Sequence, residues 1–351
     1  MNINKTIQRL ILDPTHRPFD LYAEYGCFRE EIEDFLLGQR NFEDRQQKAI
    51  EIIEGILTYH GKEDLLKNLT ELARIEHVII ELEARFRDHV VHALNSFILG
   101  IYINESWMAQ KANCFQWKLA GLLHDVAYPA EISYSILGSL PGTLNRKAEE
   151  LGFPLHRISY AARLDGLEQL LNGVNALDLI QKRVYEWGLQ IKVHDEYFQM
   201  VRRGIPCHGM YTGLCVLWVL DMMYEKNNPG RRHEDVRAVM PYLSWNQEYF
   251  ERDIVSACAA IFIHNLPSHC FRSAKINRER SPLAFLLRLS DELQDWERPS
   301  RQNPNGESAN NFDIENEQGI LTLRAIISEE KKCRMREKIF STLDAPDIRI
   351  L

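Results

Sequence analysis

The sequence predicts a mainly α-helical fold that ends in a small α+β segment, and three observations carry that expectation. Residues 5–85 set apolar positions at helical spacing among charged ones, as in FREEIEDFLLGQ and DRQQKAIEIIEGILTYH. Five later stretches are apolar over most of their length: HVVHALNSFILG, KLAGLLHDVAYPAE, PCHGMYTGLCVLWVL, ACAAIFIHNL and PLAFLLRLSDELQDW. Finally, FDIENEQGILTLRAII alternates on both sides of Gln318-Gly319, as a β-hairpin does.

In order along the chain, Asn41, Asp44 and Asp64 are candidate helix starts, and Gly26, Gly38 and Gly61 punctuate the N-terminal helices. The interval 126–200 contains turn-rich segments such as YPAEISYSILGSLPGTLN, expected to form a cap or lid beside the central helices. RQNPNGESANN (301–311) reads as a polar loop or linker. Past the hairpin, SEEKKCRMREKIFSTLD reads as a helix, with Ser328 as N-cap and Glu329 and Glu330 in its first turn. DIRIL reads as a last short strand. The expected organisation is an N-terminal helical region (1–85), a central helical domain (86–300) and a C-terminal hairpin and helix (301–351). No internal repeat or low-complexity tract interrupts it.

Composition narrows the function classes. The 351 residues, 45% of them hydrophobic, supply a sizeable core. With 42 basic against 50 acidic residues the formal charge is -8, which argues against long nucleic acid as a partner. No apolar run reaches the roughly 18–20 residues of a membrane span, and MNINKTIQRLILDP lacks the apolar core of a signal peptide. The seven cysteines (27, 114, 207, 215, 258, 270, 333) are scattered and show no C-x-x-C spacing. The expectation is a reduced, cytoplasmic protein.

The chemistry is concentrated in His92, His124-Asp125, His208, His264 and Asp291, each set in one of the five apolar stretches. Imidazole and carboxylate in apolar helices are costly unless something pairs with them, and a divalent metal is a common partner for both. A second His-Asp pair, His194-Asp195, lies in the more polar IKVHDEYF and reads as surface. His89 competes with His92 for the first ligand position, since the two share nearly one helix face. Bland alternatives exist for the others: a turn histidine before Gly209 for His208, a core histidine for His264, and an ion pair with Arg288 or Arg298 for Asp291. Cys207 reads as a packed neutral thiol.

The ordered set His92, His124-Asp125, His208, His264, Asp291 resembles the HD-domain superfamily of metal-dependent phosphohydrolases, over roughly residues 86–298. PLAFLLRLSDELQDWER is particularly close to that family's last motif, and the two additional histidines resemble the subset that holds two metals. The resemblance implies an HD-type helical bundle in which His92 and Asp291 complete one ion's shell, His208 and His264 serve a second, and His124 and Asp125 hold the catalytic centre. It implies a divalent cofactor, two per chain, drawn from Mn, Fe, Mg, Zn or Ni. Two such ions activate a water and hold phosphate oxygens for in-line attack.

For substrate binding, the basic stretch after His264 supplies Arg272 and Lys275, with Arg278 and Arg280 beyond them. Arg87 and His89 are further candidates, and Asp88 could orient a ligand imidazole. Tyr128 reads as packing at a helix end, and the six tryptophans as core. No phosphate loop, dinucleotide fingerprint or nucleophile elbow is present. The expected function is hydrolysis of a phosphoester or phosphoanhydride in a phosphorylated small molecule, a nucleotide above all. The alternatives are a non-catalytic nucleotide-sensing or partner-binding module and a di-iron oxygenase. Helical surfaces of this kind often pack on a second copy, so a homo-oligomer is a further expectation.

Overall fold

Asn2 accepts a hydrogen bond from the Lys5 N–H at 2.8 Å and so starts α1 (Ile3–Leu12). In the computed structural model the chain is mainly helical, with small sheets towards its C-terminus. The structure describes residues 2–13, 26–58, 87–129, 131–132, 166–171, 173–203, 207–227, 247–300, 303 and 306–351. Asp64, Gly61 and much of the expected 126–200 cap lie outside them.

α2 (Gly26–Leu37) ends where the Gly38 N–H reaches the Asp34 carbonyl at 2.7 Å. α3 (Phe42–Thr58) begins at Asn41, whose side chain accepts from the Asp44 N–H at 2.8 Å. Of the candidate starts, Asn41 is therefore the cap. The isoleucines of α1 and α3, among them Ile3, Ile7, Ile52 and Ile56, are buried, and both helices pack on α4 (Val90–Ser106).

α4 is buried on every side from Val90 to Asn104, which makes it a central helix rather than an amphipathic one. α5 (Cys114–Leu123) starts at Asn113, which accepts from the Phe115 and Gln116 N–H groups. It packs on α4 through Trp117, whose indole lies so close to Gly100 that a Cβ there would sit 2.0 Å from Cζ2. α6 (Ala176–Glu186) and α7 (Val193–Arg203) lie to one side, α6 against the helix that carries His264.

α8 (His208–Asn227) and α9 (Val255–His264) form the closest helix pair, with a π-helical turn (Phe250–Ile254) leading into α9. Gly209 and Gly213, one helical turn apart, permit that approach: a Cβ at Gly213 would sit 2.8 Å from the Cys258 carbonyl oxygen. After β1 (Ile276–Asn277), α10 (Pro282–Leu293) starts with proline in its first turn and packs against both α9 and α4.

β2 (Phe312–Glu317) and β3 (Ile320–Ala325) form the expected hairpin. Its two-residue turn has positive φ at Gln318 (52°) and Gly319 (81°), the backbone that a tight hairpin requires. Ser328 caps α11 (Glu329–Thr342) by accepting from the Lys331 N–H, as its sequence predicts. β4 (Leu343–Asp344) pairs in parallel with β1, and β5 (Ile348–Ile350) pairs in parallel with β3, so DIRIL is the last strand. Among the described residues, no helix is long and apolar enough to cross a membrane.

Candidate metal centre

The ends of five helices converge on one buried point. His92 lies in the first turn of α4, His124 caps the C-terminus of α5, and Asp125 sits in the turn that follows. His208 is the first residue of α8, His264 the last of α9, and Asp291 lies in the last turn of α10. The Asp125 turn is held to α8 by the Ala127 N–H, which donates to Thr212 Oγ1 at 3.1 Å. All six residues that the sequence singles out as ligands are brought together.

Asp125 is the centre of the arrangement, and its two oxygens face different histidine pairs. Oδ2 lies 3.8 Å from His92 Nε2 and 3.7 Å from His124 Nε2. Oδ1 lies 3.3 Å from His208 Nε2 and 3.5 Å from His264 Nε2. Asp291 joins the first pair, its Oδ1 being 2.9 Å from His92 Nε2 and 3.9 Å from His124 Nε2. Two groups of potential ligand atoms result, His92/His124/Asp125 and Asp125/His208/His264.

Every imidazole turns Nδ1 outward and Nε2 inward. The Nδ1–H of His124 donates to the Gly121 carbonyl at 3.0 Å and that of His264 to the Ile261 carbonyl at 2.6 Å. The Nδ1–H of His92 donates to Gln294 Oε1, and Gln294 is fixed in turn by donating to the Trp296 carbonyl. The Nδ1–H of His208 donates to Glu131 Oε2 at 2.9 Å, with Asn265 Nδ2 3.2 Å away. A carbonyl can only accept, so Nδ1 carries a proton in both rings, and in the neutral His124 ring the inward Nε2 carries a lone pair.

Those inward atoms lack partners. His124 Nε2, His264 Nε2 and Asp125 Oδ1 are all buried without an aligned hydrogen bond. Lone pairs of imidazole aimed at carboxylate oxygens repel unless a cation lies between them. Donor atoms bonded at about 2.0–2.2 Å to one ion stand roughly 3–3.6 Å apart, the spacing seen here to within a few tenths of an ångström. The donor set, nitrogen and oxygen without sulfur, fits a divalent ion in each half.

The electrostatics agree with that fit. Burial pushes His124 down to about 4, so it stays neutral and ready to ligate at neutral pH. Burial works against ionised Asp125, but His124, His208 and His264 outweigh it and hold the carboxyl well below the usual range. Asp291 is held down in the same way by His92, His124 and His264. Burial would lower His208 too, yet the carboxylates of Asp125 and Glu131 raise it to about 10. In the ion-free protein, a proton on His208 supplies the counter-charge.

His89 is not among the ligand groups. It caps α4 from outside and stacks on Tyr128, ring centroids 3.7 Å apart, while Tyr128 also meets His208 edge-on at 5.1 Å. Of the two candidates for the first ligand, His92 is the one inside the cluster. Asp88 does not orient an imidazole: its oxygens accept from the Val91 N–H at 2.6 Å and Gln46 Nε2 at 2.8 Å, capping α4. Arg87 pairs with Asp295. Of the two arginines weighed for Asp291, Arg288 instead reaches Glu292 at 3.3 Å, while Arg298 feels the Asp291 charge. His194 makes a surface ion pair with Asp178 at 2.8 Å.

The basic segment after His264 runs elsewhere than chain proximity suggests. Arg272 is exposed, and Lys275 Nζ donates to the Phe340 carbonyl at 2.7 Å, beside the β1–β4 pair. The cation that acts on the cluster is Arg298, which feels the charges of Asp125, Asp291 and Asp295. Among the described residues its Nε is buried without a hydrogen-bond partner. It follows Glu297, whose backbone is left-handed (φ 53°) and whose carboxylate is held by Arg45 and Asn4. The next residues lie against the start of α4, the Asp88 N–H donating to the Pro299 carbonyl at 2.9 Å. Sequence reading missed Glu131, Gln294 and this role of Arg298. Gln294 lies three residues past Asp291, so one helical turn was the available signal. No family model, curated protein or solved structure matches the chain.

Proposed function

We propose that this chain is a metal-dependent phosphohydrolase of the HD type, acting on a phosphoester or phosphoanhydride of a small phosphorylated molecule such as a nucleotide. The observation that carries the proposal is the division of Asp125 between two histidine pairs, which prepares two adjoining cation positions with one shared carboxylate. Divalent ions there would supply Lewis acidity towards phosphate oxygens and lower the pKa of water.

The chain's own residues then have distinct tasks. His92, His124 and Asp291 would hold an ion on one side, His208 and His264 one on the other, with Asp125 available to each. Gln294 and Glu131 keep the His92 and His208 rings turned inward. Arg298, whose buried Nε lacks a hydrogen-bond partner among the described residues and which feels the Asp125 and Asp291 charges, would meet an incoming phosphate oxygen. The stacked His89 and Tyr128 form a wall beside the His208 half, where a flat group attached to the phosphate could lie.

The deciding experiment combines elemental analysis with a phosphate-release screen of phosphomonoesters, cyclic nucleotides and nucleoside triphosphates under several divalent ions. We expect about two ions per chain, falling towards one in His208→Ala or His264→Ala and towards none in Asp125→Ala, with hydrolysis lost in step. Metal without hydrolysis of any phosphate substrate would turn the reading to a sensing module. Failure to bind metal at all would end it.

A further inference from the structure

Outside the centre just described, the described residues bring metal-ligating side chains together once more, here of three donor types. Glu196, in the first turns of α7, meets His269 and Cys270, which lie in a 3-10 turn (Ser268–Phe271) shortly after α9. One ligand atom from each falls within 4.8 Å of the other two, and His269 Nε2 lies 3.9 Å from Glu196 Oε2. Among the described residues no lysine or arginine is paired with Glu196, and the half-exposed His269 imidazole is the basic group beside it.

We propose that Glu196, His269 and Cys270 form a separate site for a borderline-soft divalent cation of the zinc class. Carboxylate, imidazole and thiolate together are the donor set that zinc and cobalt share, whereas magnesium and calcium take oxygen. Zinc bonds of about 2.0–2.3 Å place donors roughly 3.3–3.8 Å apart in a tetrahedron. With the three atoms within 4.8 Å of one another, the widest separation would need to close by at most about 1–1.5 Å for such an ion to bind all three. Solvent would take the fourth position. On binding, the Cys270 S–H bond breaks, its proton goes to solvent and the sulfur bonds the ion, with no change of oxidation state. Burial and the adjacent Glu196 carboxylate hold this thiol protonated, up to about 12, while no cation is present.

The position gives such an ion a structural consequence. Because His269 and Cys270 follow His264 by a few residues, ligation would tie the chain leaving α9 to α7. It would not itself depend on the six-residue centre.

Sulfur makes the test specific, since the His/Asp centre contains none. Cobalt(II) added to the reduced full-length chain should produce a near-ultraviolet sulfur-to-cobalt charge-transfer band that saturates at one per chain. Cys270→Ser should abolish the band, His269→Asn should weaken the cobalt affinity that it reports at least tenfold, and Cys333→Ser should leave it unchanged. Absence of the band in the wild-type chain, or its survival in Cys270→Ser, would overturn the site and leave an exposed Glu–His pair. Neither result bears on the metal content of the centre around Asp125.

Discussion

Glu131 grips His208 twice, through a single carboxylate oxygen that lies 2.5 Å from the His208 backbone nitrogen and 2.9 Å from its Nδ1. The bond to Nδ1 sends Nε2 towards Asp125, and the bond to the backbone fixes where α8 begins. Carboxylates that orient ligand imidazoles in this way typically account for about 10–100-fold in metal affinity. Glu131→Ala should therefore weaken divalent-ion binding by that factor in the His208/His264 half alone. Calorimetric titration resolving two binding steps checks this, and two unaltered steps would separate Glu131 from the centre.

Arg298 and Lys275 make opposite predictions from the same chemistry. Arg298→Ala removes a guanidinium whose Nε lacks a partner, and a charge-assisted hydrogen bond to phosphate is worth roughly 1.5–3 kcal/mol. Its KM for a phosphate substrate should rise about tenfold or more, with metal content retained. Lys275→Ala, which cuts only a bond to the Phe340 carbonyl, should stay within about twofold by the same steady-state assay. A reversed order would restore the segment after His264 as the phosphate grip.

Gly209 is a contact point for the His264 ring. A Cβ there would sit 3.0 Å from His264 Nδ1 and 3.1 Å from the Ile261 carbonyl, the two atoms that hydrogen-bond each other. Gly209→Ala should cost about 1–3 kcal/mol of stability through overpacking. It should also weaken metal binding, because the ring it pushes is an inward-facing donor. Denaturant unfolding with and without metal measures both effects, and a wild-type midpoint in each would contradict them.

Asp295 sets an acid limit. Burial would raise its carboxyl, but Arg87 and then Lys331, 2.6 Å away, outweigh burial and hold it below its ordinary 3.8. A carboxylate depressed on folding stabilises the native state above the unfolded value and loses that contribution as pH falls through the folded one. Stability should therefore drop below about pH 4, and Asp295→Asn should flatten that part of the curve while lowering stability at neutral pH. Thermal melts at stepped pH provide the check; an acid limb of equal slope in both proteins would exclude Asp295 as its source.

The ligand residues were legible because each breaks an apolar helix pattern, and a polar group at such a place needs a partner. Ser328 and the Gln318-Gly319 turn were legible because caps and tight turns use local chemistry. Glu131 and Gln294 were not, because each acts on a histidine remote in sequence, and only the one-turn spacing of Gln294 from Asp291 hinted at either. Lys275 lies elsewhere than its neighbours in sequence suggest, for the converse reason. Nearness to His264 along the chain is undone by the 3-10 turn and the β1–β4 pairing, which carry the segment to the C-terminal part of the fold.

The four rings differ in when their orientation can be fixed during folding. His124 and His264 each donate to a carbonyl three residues back in their own helix, so helix formation alone aims them. His92 and His208 are aimed by Gln294 and Glu131, 202 and 77 residues away along the chain. Each half of the centre thus combines one histidine set early with one set only when distant segments have docked. A chain still on its way to the native state would therefore hold one preset imidazole in each half, the second being aimed only once Gln294 or Glu131 has docked.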